Sequence, residues 1–106
     1  MTIAAPRAVL ADDERLMREQ LRARLAEVWP ELQLVAEAKN GTEAVALVAQ
    51  HRPDIVFLDI RMPGLDGFDV VAALDPERTP AVIFVTAYDA FAVRAFEVNA
   101  MDYLLK

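Results

Sequence analysis

The strongest constraint in this sequence is an alternation. Short runs dense in Val, Ile and Leu are separated by longer segments whose apolar residues recur at helical spacing. The runs are RAVLA (7–11), LQLVAE (32–37), IVFL (55–58), AVIFV (81–85) and YLL (103–105). Such runs suit parallel strands covered on both faces, since a strand with one wet face would alternate apolar with polar residues. Between the first two, Met17, Leu21, Leu25 and Val28 recur at four, four and three, an apolar stripe on a helix over 14–29. Arg15, Arg18, Glu19, Arg22 and Glu27 fall mostly on its other face and read as a solvated, ion-paired surface. NGTEAVALVAQH (40–51) predicts a second helix capped by Thr42 or Asn40 and ended before Pro53. Segments 68–74 and 91–98 supply a third and a fourth. The order βαβαβαβαβ, with right-handed crossovers, predicts a doubly wound α/β sheet with helices on both faces.

At 106 residues the chain has the length of one domain. Its hydrophobic share of 56% does not imply a membrane protein, because no apolar run approaches the ~20 residues that span a bilayer. The start lacks the basic segment and long apolar run of a secretory signal. The sequence has no cysteine and so no disulfide framework, which suits a cytoplasmic location. A net charge of −6 disfavours a nucleic-acid surface, which draws on clustered Lys and Arg. Any DNA contact is expected from another segment.

Ligands of such sheets bind outside the carboxyl ends of the strands, where strand order reverses. Asp12 and Asp13 follow the first run, Asp59 the third, Thr86 the fourth and Lys106 the fifth. If the fold is right, all five converge on one pocket. Carboxylates gathered in one place repel each other unless a cation neutralises them, and hard oxygen ligands without His or Cys favour Mg2+ over zinc. A carboxylate can accept a phosphoryl group as an acyl phosphate while Lys and Thr hold the phosphoryl oxygens. Each residue also has a plainer reading. Asp12 and Asp13 could simply start a helix, Thr86 could be a turn hydroxyl, and Lys106 a solvated end. The MPGLDG loop (62–67) is compatible with an ordinary turn in which Pro63, Gly64 and Gly67 permit a tight bend. His51, the lone histidine, reads as a surface residue at a helix end.

LADDE (10–14), DIVFLDIRMPGLDG (54–67), FVTA (84–87) and DYLLK (102–106) resemble, in order and spacing, the motifs of the receiver domains of bacterial two-component response regulators, over nearly the whole chain. The resemblance implies a flavodoxin-like, five-stranded parallel sheet in the order 2-1-3-4-5. It implies that Asp59 is the phosphoacceptor, that Asp13 binds Mg2+ directly, and that Asp12 does so largely through water. The backbone carbonyl of Arg61 would be a further metal ligand. Lys106 would pair with the phosphoryl group, Thr86 would move towards it, and Tyr103 would swing inward behind Thr86. Backbone N–H groups of Arg61 and Ala87 would complete the contacts to its oxygens. The implied phosphodonor is the histidine of a sensor kinase, and the implied role is that of a signalling switch, not an enzyme acting on other substrates.

Residues 87–106 are most similar to the subfamily with a LytTR-type DNA-binding output, so the domain is expected to control such an output in transcription. The family pattern continues past this Lys into a Pro and a fifth helix. Residues 1–106 are therefore expected to be a receiver truncated before that helix, with an apolar face at strand five that promotes association. Homodimers are expected through that face or on phosphorylation. Arg61 and Tyr88, two positions after Asp59 and Thr86, are bulky where family members vary in admitting water, which implies slow loss of phosphate. A pseudo-receiver, acting as a phosphorylation-independent interaction module, is the main alternative. The complete acidic set and Lys106 argue against it. A haloacid-dehalogenase-like phosphatase would need an acid where Arg61 stands, and in a flavin-binding protein DDER (12–15) would repel the cofactor phosphate.

Overall fold

Odd and even residues of the strands at 7–11, 55–58 and 81–85 part company in the computed structural model, which describes residues 5–77, 79–86 and 102–105, with 86 and 102–105 described by backbone alone. Val9, Ala11, Val56, Leu58, Val82 and Phe84 face one core. Ala8, Leu10, Phe57 and Val85, with Ile55 and Ile83 partly buried beside them, face another. This is the two-residue period of a pleated strand applied to a sheet covered on both sides. The strands are β1 (Arg7–Ala11), β2 (Gln33–Ala38), β3 (Ile55–Leu58), β4 (Ala81–Thr86) and β5 (Asp102–Leu105). All pair in parallel, in the order β2-β1-β3-β4-β5, the doubly wound arrangement that the sequence predicts.

Three helices are described: α1 (Arg15–Val28), α2 (Gly41–His51) and α3 (Gly67–Ala73). Leu25 of α1 packs on the core of Leu10 and Phe57, and α2 and α3 cover the other face through Ala44, Val48, Phe68 and Val70. Full burial of a side chain such as Leu58 or Phe84 stabilises the fold by about 1.5–3 kcal/mol. The helix predicted over 91–98, and residues Ala87, Tyr88 and Lys106, lie outside the described residues.

Local chemistry decides the helix ends. Of the two candidate caps of α2, Asn40 serves: its Oδ1 accepts from the N–H of Glu43 at 2.8 Å. The helix closes at Arg52, whose φ of 47° is left-handed, and Pro53 prevents continuation. Helix α3 starts one residue before its predicted first position because Asp66 and Asp69 form a reciprocal capping box. Val28 departs from the predicted stripe of α1. It is 68% exposed because the helix ends there, and Trp29 packs against the Leu10 and Leu25 cluster in its place.

Gly41, the first residue of α2, touches the loop after β3 so closely that a Cβ there would lie 2.6 Å from the Cβ of Leu65. Gly41→Ala is therefore expected to push α2 away from that loop at a cost of about 1–3 kcal/mol, lowering the thermal midpoint by roughly 5–15 °C. An unchanged melting curve would show that the two segments can part freely.

Candidate functional site

β1 and β3 are neighbours, and Ala11 is in register with Leu58. Asp12 and Asp59 are thus the first residues beyond two adjacent parallel strands, and the backbone ladder continues one step into both. The N–H of Asp59 donates to the carbonyl of Ala11 at 2.8 Å, and that of Asp12 to the carbonyl of Ala38 at 3.1 Å. The two acids are held side by side by backbone bonds. Asp12 and Asp59 are 3% and 4% exposed, while Asp13 is open to solvent. The site is thus a buried floor with one acid at its rim. One carboxylate oxygen from each of Asp12, Asp13 and Asp59 lies within 4.8 Å of the others.

The plainer reading of Asp12 also holds in part. Its Oδ1 accepts from the N–H of Glu14 at 2.9 Å, a local turn that steers the chain from β1 into α1. Glu14 itself is the N-cap residue and makes no side-chain cap bond. On the other side of the site, Gly67 opens α3 directly against the acid-bearing segment. Its N–H donates to the carbonyl of Ile60 at 2.8 Å, and a Cβ there would lie 2.7 Å from the carbonyl oxygen of Asp59. Gly64 is the turn glycine, with a φ of 75°.

Three ionised carboxylates at this spacing repel one another, by about 1 kcal/mol per pair even at water-like screening and by more where they are buried. A hard divalent cation relieves that repulsion, and three carboxylates with no imidazole or thiolate form the donor set that Mg2+ prefers. The residues present fit the ion that the resemblance implies. No buried side-chain nitrogen or oxygen among the described residues lacks a partner.

The structure brings together Asp12, Asp13 and Asp59 of the residues singled out from sequence. Arg61 is exposed in the loop two residues after Asp59. Thr86 is the last residue of β4, and Tyr103 stands opposite Phe84 in β5. By register Asp59 is level with Val85, so Thr86 is one step further out. Lys106, Ala87 and Tyr88 lie outside the described residues. His51 ends α2, half-buried, and its carbonyl accepts from Nη1 of Arg7 at 2.7 Å.

Arg18 is the residue that sequence reasoning misplaced. Assigned to the solvated face of α1, its side chain is only 16% exposed, and its Nη1 donates to the carbonyl of Asp12 at 2.8 Å. A signal was available, because Arg18 lies three and seven positions before Leu21 and Leu25 and so shares their helical row.

A doubly wound parallel sheet with three acids at its switch point defines a class of acidic-pocket α/β domain, and the comparisons with known proteins narrow it. The family model described as "Response regulator receiver domain" matches residues 8–106, and the chain belongs to that family. It is thus the receiver domain of a two-component response regulator. An uncharacterised response regulatory protein of Vibrio cholerae is 56% identical to it, over 93% of this chain and 38% of the relative. The transcriptional regulatory protein BtsR of Escherichia coli K12 is 45% identical over 94% of this chain and 41% of its own. The chain spans about two fifths of the length of these curated relatives. Among solved structures, the signal receiver domain of the putative response regulator NarL of Mycobacterium tuberculosis is similar with a TM-score of 0.85 and 34% identity, covering 97% of this chain and 85% of that one. The response regulator TrrA of Thermotoga maritima, solved in complex with Mg(2+)-BeF, is similar at 0.83 and 30%, covering 95% and 86%. Among the described residues no helix is long and apolar enough to cross a membrane.

The carboxylate repulsion is directly measurable. In protein stripped of divalent ions, Asp13→Asn removes one charge from the cluster at an exposed position. It is expected to raise unfolding stability by about 1 kcal/mol in low salt, with the gain shrinking as salt is added. A loss of stability would mean that Asp13 is held by a favourable contact that outweighs the repulsion.

Proposed function

We propose that this domain is a phosphorylation switch in which Asp59 accepts a phosphoryl group from the phosphohistidine of a sensor kinase. The observation that carries the proposal is the meeting of the Asp12, Asp13 and Asp59 carboxylates within 4.8 Å of one another, with Asp59 buried at a strand end. A carboxylate oxygen of Asp59 forms the new P–O bond as the P–N bond of the donor breaks. The bonding pair leaves on the imidazole nitrogen, which a proton then restores to neutral imidazole. Asp13, Asp59 and the backbone carbonyl of Arg61 would hold Mg2+, with Asp12 acting largely through water, and the ion would supply positive charge that offsets the charge of the phosphoryl oxygens.

The chain's own residues do the rest. Burial of Asp59 keeps bulk water from its carboxylate, and the ladder bond to Ala11 holds the acceptor still. On the family pattern Lys106 pairs with the phosphoryl group, and the N–H groups of Arg61 and Ala87 donate to its oxygens. Thr86 draws in behind it and Tyr103 follows, carrying the signal to the β4–β5 edge. The bulk of Arg61 and Tyr88 is assigned to slowing hydrolysis of the acyl phosphate. The whole of 1–106 is assigned to this receiver. The transcriptional name of BtsR supports control of a DNA-binding output, for which we assign a LytTR-type domain, with a homodimer as the active form and the cytoplasm as its place.

Incubation with acetyl phosphate and MgCl2, followed by intact-mass measurement, tests the acceptor. Wild type is expected to gain a single phosphoryl group, and Asp59→Ala is expected to gain none. No adduct on wild type would favour a phosphorylation-independent interaction module, and an adduct that persists in Asp59→Ala would place the acceptor elsewhere.

A further inference from the structure

Arg18, in the first turn of α1, reaches back to the acidic cluster and sideways to β2. Its Nη1 donates to the carbonyl of Asp12 at 2.8 Å, and its Nε lies 3.7 Å from Oε1 of Glu37. The other oxygen of Glu37 accepts from Nη1 of Arg22 at 2.6 Å. We propose that Arg18, anchored by Glu37, is a positioning residue that holds the Asp12 carboxylate in the geometry required for cation binding. The inference rests on the magnesium reading of the cluster given above.

Asp12 sits where the chain leaves β1 and turns into α1, and bonds to Ala38, Glu14 and Arg18 help to fix it there. Its N–H donates to the carbonyl of Ala38, its Oδ1 accepts from the N–H of Glu14, and its carbonyl accepts from Nη1 of Arg18. The third comes from the side chain of Arg18, a charged donor in a largely buried place, where such bonds are strong. A guanidinium can span two acceptors because its donors form a rigid planar fork, whereas a lysine ammonium is a point charge on a flexible stem. Glu37 has a second effect. A bare guanidinium bonded to the backbone of a metal-binding residue would repel the incoming cation, and the Glu37 carboxylate offsets that charge. Loss of Arg18 loosens the turn, while loss of the Glu37 charge leaves the turn bonded but unfavourable to a cation. Arg22 shares Glu37 from its own, half-exposed side chain and serves as the control for loss of the β2 contact alone.

The test is calorimetric titration of MgCl2 into metal-free protein, alongside amide exchange at Glu14 without metal. Arg18→Met and Arg18→Lys are expected to raise the Mg2+ Kd about tenfold, the lower end of the effect of outer partners of metal ligands, and to speed Glu14 exchange. Glu37→Gln is expected to weaken Mg2+ binding more at low salt than at high salt. Arg22→Met is expected to keep the wild-type Kd even where it lowers the melting point. Should Arg18→Met fail to fold, Arg18→Lys and Glu37→Gln carry the test. Wild-type Mg2+ affinity and wild-type Glu14 exchange in Arg18→Lys would overturn the proposal, as would a Kd change in Arg22→Met equal to that in the Arg18 variants. If wild type takes up no Mg2+, the magnesium reading itself fails, while Glu14 exchange still reports whether Arg18 orders the Asp12 turn.

Discussion

Two backbone hydrogen bonds hold this domain's chemistry in place: Asp59 to Ala11 and Asp12 to Ala38. A parallel ladder usually frays where its strands end, because the last N–H and C=O groups lose their partners. Here the ladder runs one residue further on both sides of β1, and in both places that residue is an aspartate. The acids inherit the precision of the sheet instead of the mobility of a loop. The cost is burial of like charges, which water screens poorly there and which a positive charge nearby offsets.

Everything near the pair reads as support for that arrangement. The alternating strand residues place Val9, Leu58 and Phe84 under α2 and α3 and Leu10 and Phe57 under α1, so β1 and β3 are pressed from both sides and cannot slide. Gly67 lets α3 begin against the Asp59 and Ile60 backbone, and Gly41 lets α2 close on Leu65 of the same loop. The segment that follows β3 is thus clamped by two helices through contacts in which no side chain fits. Arg18, ion-paired with Glu37, bonds to the carbonyl of Asp12, whereas Gly67 meets the Asp59 backbone by close approach.

Much of this was legible in the sequence, for a physical reason. Buried parallel strands have to be continuous apolar runs, and an acid directly after such a run stands out, so Asp12, Asp13 and Asp59 and the doubly wound order could be read from pattern alone. The loop glycines were read as turn formers, which holds for Gly64 but not for Gly67, whose role is steric and depends on a helix arriving from elsewhere. Val28 satisfied the helical period yet lies exposed, because periodicity does not say where a helix ends, and Trp29 took its place. Arg18 was assigned to solvent because charge at a helical position normally means solvent. Its true setting depends on Glu37, in the next strand, and the two are joined only by folding.

Whether the buried strand-end carboxylate of Asp59, and no other acid of the cluster, becomes the acyl phosphate can be mapped directly. Reduction of the phosphorylated protein with borohydride converts an aspartyl phosphate into homoserine, which peptide mass mapping locates to a single residue. Homoserine is expected at position 59, with intact aspartate at positions 12 and 13. Homoserine at either of the latter positions, or none at 59 in protein that carries a phosphoryl group, would contradict the assignment of Asp59 as the acceptor.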